Sequence, residues 1–413
     1  MDDRILLRMC RMSGHEMRFI TEAFEDEWVV PLGPNVTGFE KDLEKFLGEE
    51  KIVVALSSGT AALHLGLIAL GVKEGDEVMV QSMTFSASVN PVRYVGAIPV
   101  IVDSEAESWN MNPELLDRAI ADRIKITGRK PKAIVLVCLY GMPADYDRIL
   151  KIAEKWDIPI LEDAAEAFGS EYGGRKCGTF GRYGALSFNG NKMITTSGGG
   201  ALVCPDAEAA KKIMYYATQA RLGYAYYQHE EVGYNYRMSN ISAGIGRGQM
   251  YVAEDYIAHH RHRHQYYMEH LGCVDGISIH DNPDEKYNSN FWLSTALLDE
   301  DLKIKGEDEA YSSAITSTVG GAGGVTGIRA DVHTDCEPNV NVEALRLGLA
   351  KLGIETRPLW KPMHKQPVFS KFPAYANGVS EDLFHRGICL PSGPYVSDRD
   401  ADRVIESIKS LIK

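Results

Sequence analysis

Hydrophobic and polar positions alternate in blocks between about residues 51 and 203. Short apolar runs, namely EVMVQS, IPVIVD, KAIVLVCLY and IPILED, are separated by longer segments with helical periodicity such as AALHLGLIAL and YDRILKIAEKW. Buried strands that alternate with helices are typical of βαβ units in a parallel sheet. We therefore predict an α/β fold whose large domain, residues 13–255, contains a mostly parallel sheet flanked by helices.

The rest of the chain has a different pattern. Residues 205–270 have helical character, and after residue 288 strand-like runs such as FWLSTALL are followed by the helical segments NVEALRLGLAKLG and DADRVIESIKSLI. This predicts a smaller α+β domain over residues 256–413. The stretch 299–338 has the weakest pattern, and SSAITSTVGGAGGVTG at its centre predicts a loop or a hairpin.

Composition limits the class of protein. The 413 residues are 45% hydrophobic and 24% charged, with a net charge of −13. These values are ordinary for a globular protein and argue against general binding of nucleic acid. No apolar run approaches the ~18 residues of a membrane-spanning helix. The N-terminal residues do not resemble a secretory signal, and the cysteines form no CxxC pairs. We expect a cytoplasmic protein with reduced thiols.

The segment SSGTAA, residues 57–62, is the first candidate binding site. It follows the short apolar run VVAL, and a helix is expected to begin within it. Gly59 permits close approach of a ligand to the main chain, and Thr60 suits the N-cap position. The free N–H groups of a first helical turn attract anions, so the segment fits a phosphate site. A plain capped helix fits the same residues equally well.

Three carboxylates, Glu162, Asp163 and Glu166, crowd the segment where the run IPILED ends. Like charges so close repel each other, so a cation should lie nearby or one carboxyl group should be protonated. A cationic ring nitrogen of a ligand would meet this need, because open α/β sheets bind ligands at the carboxyl ends of their strands. A solvated acidic loop is the alternative interpretation.

A single lysine, Lys192, follows SFNGN and precedes MITTSGGG. A lysine in a site of low dielectric is a good Schiff-base nucleophile, although a surface lysine beside a turn has the same local pattern. Together with Phe85, Asp163 and Ser187, Lys192 falls at the ends of one alternating sheet. Pyridoxal 5'-phosphate (PLP) requires such a set, because it needs a lysine, an acid for its pyridine nitrogen, an aromatic face and donors for its phosphate.

Several longer segments extend this pattern along nearly the whole chain: SSGTAALHL, SMTFSAS, LEDAAEAFGS, GTFGRYGALSFNGNKMITTSGGGALV, GYNYRMSN, ETRPLWKPMH and GICLPSG. In these segments the chain resembles the DegT/DnrJ/EryC/StrS family of sugar-nucleotide aminotransferases, which have the aspartate aminotransferase fold of type I. SFNGNK and RPLWKPMH most resemble the UDP-4-keto-6-deoxy-N-acetylglucosamine aminotransferases of bacillosamine biosynthesis.

The resemblance implies a role for each residue of the set. Lys192 would form the Schiff base and act as the general base, Asp163 would pair with the pyridinium nitrogen, and Phe85 would stack on the ring. The phosphate would be bound by Gly59, Thr60, Ala61, Ser187 and, across a homodimer interface, the partner's Asn235. Glu166 stands near the phenolic oxygen, where many relatives have Gln or His, which is a departure from the wider family.

The implied reaction moves an amino group from glutamate to the C4 carbonyl of a UDP-linked keto sugar, with PLP alternating with pyridoxamine phosphate. Alternatives are a GDP- or dTDP-linked acceptor, a PLP-dependent sugar dehydratase, or a non-catalytic PLP-binding regulatory protein. Lys192 argues against the dehydratase, because relatives of that kind have His there. Four side chains are candidate donors for an anionic substrate, although each could equally be a structural ion-pair partner: Arg221, Arg237, Arg357 and His364.

Two further patterns do not support a ligand site. His260 and His264 have a spacing that can bind zinc, but no third ligand or HExxH motif accompanies them. We therefore expect a solvated basic helix face and no metal site. Gly321, Gly323 and Gly327 form a GxGxxxG pattern without a preceding strand, so a dinucleotide site is not predicted.

Overall fold

The computed structural model describes residues 4–48, 51–311 and 336–413. Within them the helices are α1 (Glu16–Glu25), α2 (Pro34–Leu47), α3 (Gly59–Ala69), α4 (Asn90–Tyr94), α5 (Pro113–Thr127), α6 (Tyr146–Trp156), α7 (Ala207–Ala217), α8 (Asn240–Met250), α9 (Ala253–Leu271), α10 (Val340–Lys351), α11 (Val379–Arg386) and α12 (Asp398–Leu411). The strands are β1 (Ile52–Leu56), β2 (Glu77–Gln81), β3 (Ile98–Val102), β4 (Ala133–Val137), β5 (Ile160–Asp163), β6 (Glu171–Tyr172), β7 (Arg175–Lys176), β8 (Tyr183–Ser187), β9 (Gly200–Cys204), β10 (Ile277–Ile279), β11 (Tyr287–Asn288), β12 (Ser294–Leu298), β13 (Arg357–Pro358), β14 (Ala374–Tyr375) and β15 (Gly387–Leu390).

An eight-stranded sheet forms the centre of the fold, with the order β1-β9-β8-β5-β4-β2-β3-β14. Neighbouring strands are parallel from β8 to β14, whereas β9 is antiparallel to both β8 and β1. Helices on both faces of a parallel sheet bury its strands completely, which explains continuous apolar runs such as AIVLV in β4. The predicted mostly parallel sheet with flanking helices is confirmed.

Two hydrophobic cores lie on opposite faces of this sheet, because side chains alternate along each strand. Val53 and Ala55 of β1 belong to the core that also contains residues of α2, α5 and α6. Val54 and Leu56 belong to the core that contains residues of α3 and α7. The helix α3 is apolar on nearly all sides and is buried. Packing against the sheet therefore fixes the position of α3, whose first turn follows β1 directly.

A second sheet of four antiparallel strands, β10-β12-β15-β13, forms a smaller α+β unit with α9, α10 and α12. Its core contains Tyr267 and Leu271 of α9 and also Ile5, from the beginning of the described chain. The predicted boundary between residues 255 and 256 falls in the first turn of α9 and stays a prediction. Among the described helices, none has the length and apolar character needed to cross a membrane.

The segment between α7 and α8 differs from the helical pattern predicted for residues 205–270. The main chain turns back on itself there, with the Gln219 N–H donating to the Tyr234 carbonyl oxygen at 2.9 Å. A Cβ atom on Gly233 would lie 2.1 Å from the carbonyl carbon of Gln219, so this reversal of the main chain requires glycine at position 233. The centre of the predicted loop 299–338, including Gly321, Gly323 and Gly327, lies outside the described residues.

The basic face predicted for α9 is only partly solvated: His262 is exposed, but three other basic residues are buried, and for these the expectation was wrong. His260, Arg263 and His264 are all at most 2% exposed. Arg263 donates to the Val396 carbonyl oxygen at 3.1 Å and to Asp398 at 2.6 Å. The helix packs within the smaller unit, where the Nε2 atom of His264 lies 3.3 Å from an Asp281 carboxylate oxygen. Charge spacing along a helix does not reveal such distant partners.

Candidate active site

A cavity of about 630 Å³ lies at the carboxyl ends of the central strands. It is bordered by the junction between β1 and α3 and by the ends of β5 and β8, which is where open α/β sheets bind ligands. Eight of the predicted site residues line it: Gly59, Thr60, Phe85, Asp163, Glu166, Ser187, Lys192 and Arg357. Residues from five separate sequence motifs therefore meet in one cavity.

The junction between β1 and α3 offers main-chain donors to the cavity. Ser58, and not Thr60, is the N-cap residue, because its Oγ accepts a hydrogen bond from the Ala61 N–H at 3.0 Å. Ala61 itself does not line the cavity. The first N–H groups of a helix have no acceptor within the helix. Those of Gly59 and Thr60 are therefore suited to bind an anion.

Close packing at this junction requires glycine at two positions. A Cβ atom on Gly59 would lie 2.9 Å from the Cβ of Ser187, and one on Gly200 would lie 2.4 Å from the Gly59 amide nitrogen. Both distances are shorter than real Cβ contacts. The last residue of the triple glycine therefore allows β9 to lie directly against the start of α3.

Asp163 is the last residue of β5 and is 5% exposed. Its carboxylate accepts hydrogen bonds from the Ser88 hydroxyl at 2.6 Å and from the Ala165 N–H at 3.2 Å. Burial raises the pKa of Asp163, while both hydrogen bonds and the charge of Lys192 act in the opposite direction. A cation in the cavity would favour the ionised form of this carboxylate.

Glu162, the neighbour of Asp163, does not line the cavity. Successive side chains of a strand point to opposite faces of the sheet. Its oxygens accept hydrogen bonds from the Tyr146 hydroxyl and from the N–H groups of Gly178, Phe180 and Gly181. The carboxylates that are adjacent in sequence are thus divided between the cavity and a separate buried site, which we call the Glu162 site.

Lys192 and Glu166 form a buried ion pair inside the cavity, with 3.1 Å between Nζ and Oε1. The other oxygen of Glu166 accepts a hydrogen bond from the Tyr140 N–H at 2.8 Å. Burial is the largest effect on the pKa of Glu166 and raises it. The charge of Lys192 lowers this pKa, and the charge of Asp163 raises it by a smaller amount. The sequence indicated repulsion among carboxylates, whereas the main charge partner of Glu166 is the lysine.

Aromatic side chains form one side of the cavity. The Lys192 Nζ lies 4.5 Å from the ring centroid of Trp292. The ring centroid of Trp360 lies 5.6 Å from that of Phe85 and 4.8 Å from that of Tyr140. Phe85 is 57% exposed although it is a large apolar residue. Its ring is therefore open to a ligand in the cavity.

Two predicted substrate residues do not line the cavity and have other partners. Arg237 donates to the Ala55 carbonyl oxygen at 2.8 Å and forms an ion pair with Glu40. The ring of His364 lies 3.0 Å from a carboxylate oxygen of Glu381, through Nε2. Both side chains thus have structural contacts in the single chain.

Two other predicted residues lie at the surface of the single chain, in the segment between α7 and α8. Arg221 is exposed, and its guanidinium lies 5.1 Å from the ring centroid of Tyr227. Asn235 is also exposed and forms a β-bridge with Thr218. Neither residue lines the cavity.

The cavity also contains residues that were not predicted as site residues: Arg8, Asn191, Trp292, Glu355 and Trp360. Glu355 and Trp360 lie within ETRPLWKPMH, so their motif could have indicated them. Arg8 lies in no recognised motif, and only the tertiary structure brings it to Lys192. The Oδ1 atom of Asn191 is buried without a hydrogen-bond partner among the described residues.

A comparison with protein families agrees with this geometry. Residues 11–320 and 328–409 match the sequence model of the DegT/DnrJ/EryC1/StrS aminotransferase family. The chain belongs to this family. Aminotransferases of the DegT/DnrJ/EryC1/StrS family use PLP, and the protein is therefore a PLP-dependent aminotransferase.

Two similar proteins extend over nearly the whole chain, and a third extends over about half of it. EpsN of Bacillus subtilis (strain 168), named as a PLP-dependent aminotransferase, is 42% identical over 100% of this chain and 96% of its own. GDP-perosamine synthase of Escherichia coli O157:H7 is 34% identical over 97% of this chain and 96% of its own. UDP-2-acetamido-2-deoxy-3-oxo-D-glucuronate aminotransferase of Pseudomonas aeruginosa is 37% identical over 55% of this chain and 61% of its own.

A solved structure of the same family confirms the fold. A DegT DnrJ EryC1 StrS aminotransferase from Brucella abortus has a TM-score of 0.81 and 30% identity, covering 96% of this chain and 95% of its own. The PLP form of a sugar aminotransferase from Streptococcus pneumoniae has a TM-score of 0.82 at 24% identity over 98% of each chain. The predicted type I fold is therefore confirmed.

The residues of the cavity fit PLP. Asp163 is buried with two neutral donors and, among the described residues, has no cation within ion-pair distance, which suits a cationic ring nitrogen. Lys192 supplies an amine on the same cavity wall as Glu166. The first turn of α3 and the Ser187 hydroxyl supply donors suited to a phosphate.

Proposed function

We propose that the protein transfers the amino group of glutamate to the C4 carbonyl of a nucleotide-linked 4-keto-6-deoxy-N-acetylhexosamine, with UDP as the nucleotide, in the synthesis of a cell-surface glycan. The observation that carries the proposal is the convergence of Lys192, Asp163 and the first turn of α3 on one cavity. An amine nucleophile, a buried carboxylate and an anion site are the parts that PLP-dependent transfer of an amino group needs.

In the proposed arrangement each residue contacts a different part of the cofactor. Lys192 would bond covalently to the cofactor, Asp163 would pair with its ring nitrogen, and Phe85 would stack on its ring face. Glu166 would lie near the phenolic oxygen, and because burial raises the pKa of Glu166, its protonated form would donate a hydrogen bond to that oxygen. The phosphate would lie at the start of α3, against Gly59, Thr60 and Ser187, because the Ala61 N–H already donates to Ser58 and Ala61 does not line the cavity.

When bound, the cofactor supplies an electron sink that stabilises negative charge on the reacting carbon. Lys192 moves the proton, because its amine lies inside the cavity. It takes the proton from Cα of the amino donor and, in the second half-reaction, delivers a proton to the sugar carbon that receives the nitrogen. Glu166, 3.1 Å from Nζ, holds this amine in place. Trp292 and Trp360 line the cavity, and their rings would keep water away from the reacting atoms.

The relatives support a sugar acceptor but differ in the nucleotide that their names contain. The E. coli relative is named for a GDP-linked sugar and the P. aeruginosa relative for a UDP-linked oxo sugar. The motifs SFNGNK and RPLWKPMH favour UDP by their resemblance. Arg357 is the predicted anion-binding residue that lines the cavity. Arg221, Arg237 and His364 would have to reach the substrate from outside it.

The substrate is tested with a panel of UDP-, GDP- and dTDP-linked keto sugars and nitrogen-15-labelled glutamate. We expect mass spectrometry to show the label in an amino sugar, with the UDP-linked acceptor converted fastest. Faster conversion of a GDP- or dTDP-linked acceptor would contradict the UDP assignment. Absence of label from every sugar would contradict the proposed reaction itself.

We also propose a homodimer in which the partner's Asn235 completes the phosphate site. Asn235 is exposed in the single chain, and the segment that carries it also exposes Tyr226, Tyr227 and Val232. Exposed apolar side chains grouped in this way are typical of an interface. Sedimentation should show a dimer, and Asn235→Ala should weaken binding of pyridoxamine phosphate. A fully active monomer would contradict this assembly.

A further inference from the structure

The first described residues run along the smaller unit before the chain enters α1. The Ile5 N–H donates to the Gly353 carbonyl oxygen at 2.9 Å, and the Glu355 N–H donates to the Ile5 carbonyl oxygen at 2.8 Å. The Leu7 N–H donates to a carboxylate oxygen of Glu355 at 3.1 Å, and the Leu7 carbonyl oxygen accepts from the Ser392 N–H at 3.0 Å. These bonds fix the main chain immediately before Arg8.

Arg8 reaches from this segment to the main chain of the lysine loop. Its Nε donates to the Asn191 carbonyl oxygen and its Nη2 donates to the Lys192 carbonyl oxygen, both at 2.8 Å. Two neutral side chains support the same oxygens. The Trp292 Nε1–H donates to the Asn191 oxygen at 2.8 Å, and the Cys10 thiol donates to the Lys192 oxygen at 3.3 Å. Three side chains, those of Arg8, Cys10 and Trp292, thereby hold the carbonyl groups of Asn191 and Lys192.

A contribution to the stability of the fold does not explain why a charged side chain occupies the position of Arg8. The side chain is buried, lies against the ring of His260, and has no carboxylate within ion-pair distance among the described residues. Burial lowers the pKa of Arg8 to about 10. A buried charge without a counter-ion is destabilising compared with an apolar side chain of similar size. A rigid guanidinium that binds two adjacent carbonyl groups is, however, well suited to fixing a peptide.

We propose that Arg8 is a positioning residue, which orients the Lys192 amine by holding the Asn191 and Lys192 carbonyl groups. Arg8 precedes the part of the chain that matches the family model, which begins at residue 11. The inference rests on the proposed role of Lys192. Because the lysine acts in both half-reactions, misorientation should slow both of them by the same factor and leave substrate affinity unchanged.

The test compares Arg8→Met and Arg8→Lys with wild type, with Arg11→Ala as a matched control. Arg11 is an arginine of the same segment whose side chain is exposed. Methionine keeps most of the volume of Arg8 and removes its charge and donors. Lysine keeps the charge but lacks the planar guanidinium group that donates to both carbonyl oxygens. The rates of the two half-reactions are measured separately in single turnovers, and the visible circular dichroism of the bound cofactor reports how rigidly it is held.

For Arg8→Met we expect both single-turnover rates to fall on the order of 10- to 100-fold, because small displacements of a catalytic group have effects of this size. The visible dichroism should decrease, whereas the melting temperature should be equal to or higher than that of wild type. Arg8→Lys should be intermediate, and Arg11→Ala should resemble wild type. A purely structural arginine would instead lower the melting temperature and leave the dichroism of the folded fraction unchanged.

Two results would overturn the proposal. One is a folded Arg8→Met with wild-type rates and dichroism. The other is a loss confined to the glutamate half-reaction, which would make Arg8 a binder of the donor's carboxylate. If Arg8→Met does not fold, the single-turnover rates and the visible dichroism of Arg8→Lys test the proposal by the same criteria. Borohydride reduction of the wild-type holoenzyme followed by peptide mapping tests the underlying assumption separately, because cofactor attached elsewhere than Lys192 would refute the proposed function instead.

Discussion

Glu162 and Asp163 are adjacent carboxylates at the end of one strand, and both are at most 5% exposed. They nevertheless belong to two different regions of the molecule. In the Glu162 site, four donors surround the carboxylate. In the cavity, Asp163 has two donors, Ser88 and Ala165. Burial raises the pKa of both groups, so the direction of the pKa shift does not distinguish them.

What distinguishes the two carboxylates is how many of their acceptor positions the protein itself occupies. A buried carboxylate whose oxygens are surrounded by protein donors stabilises the fold and has little capacity left for a ligand. A buried carboxylate with an unused side that faces a cavity is placed for a ligand that is not part of the chain. Substitutions at the two positions should therefore separate loss of stability from loss of function.

The largest effect is expected for Lys192, which supplies the amine of the cavity. In the proposed mechanism Lys192 binds the cofactor covalently and carries the proton, so turnover of Lys192→Ala should fall by at least ~10³-fold. Glu166 then lies buried without its cation, but it keeps the hydrogen bond from Tyr140, and the protein should stay folded. Steady-state rates and circular dichroism of the variant check both statements. Turnover within tenfold of wild type would show that another group carries the proton.

The next largest effect is expected for Asp163→Asn. The amide is nearly isosteric and still accepts from Ser88, but it does not supply the negative charge that keeps a ring nitrogen protonated. We expect kcat to fall on the order of 100-fold, a typical loss when one electrostatic stabiliser of a transition state is removed. Measurement of kcat across pH checks this. A nearly normal kcat at every pH would mean that Asp163 does not contact the ring nitrogen.

Glu162→Gln should have the opposite consequence. The amide group of Gln would place hydrogen atoms against backbone N–H groups such as those of Phe180 and Gly181. Leaving such buried donors unsatisfied destabilises the fold by roughly 1–3 kcal/mol for each group. Chemical unfolding should show this loss, whereas kcat of the folded protein should stay within about twofold of wild type because no contact of the cavity changes.

How much of the fold and the site could be predicted from the sequence depends on how far apart along the chain the contacting residues lie. The strand–helix alternation and the placement of Asp163 and Lys192 at the ends of one sheet follow from local patterns and the order of motifs, and the type I fold follows from the resemblance of those motifs to a known family. The donors around Glu162 come from a turn at residues 178–181 and from α6, which no pattern links to LEDAAEA. Arg8 reaches Lys192 across more than 180 residues of sequence for the same reason.

A smaller effect is expected for Glu166→Gln. Gln keeps the volume and an acceptor for the Tyr140 N–H. In the proposed arrangement the cofactor would bind the nitrogen of Lys192, so the ion pair between Lys192 and Glu166 would matter less in the loaded enzyme. We expect kcat to fall less than about tenfold, below the ~100-fold contribution of an essential general acid or base. A greater loss than that of Asp163→Asn under the same conditions would reverse the two assignments.

The smallest effect concerns the stability of the protein without cofactor. Because burial raises the pKa of Asp163, the folded state holds the proton more tightly than the unfolded state. Stability from this group is therefore fully present below the unfolded pKa and is lost as the pH rises through the folded pKa. Asn does not titrate. The melting temperature of Asp163→Asn relative to wild type should thus be higher at pH 8 than at pH 4, as measured by calorimetry on both apoproteins.

The most direct test of the distinction between the two carboxylates is the binding of pyridoxamine phosphate to the apoprotein. This form of the cofactor forms no covalent bond with Lys192, so its affinity reports the surrounding contacts alone. We predict that calorimetric titration will show at least ~10-fold weaker binding to Asp163→Asn, equivalent to ~1.4 kcal/mol, and wild-type affinity for folded Glu162→Gln. Weaker binding to Glu162→Gln, with unchanged affinity for Asp163→Asn, would contradict the account.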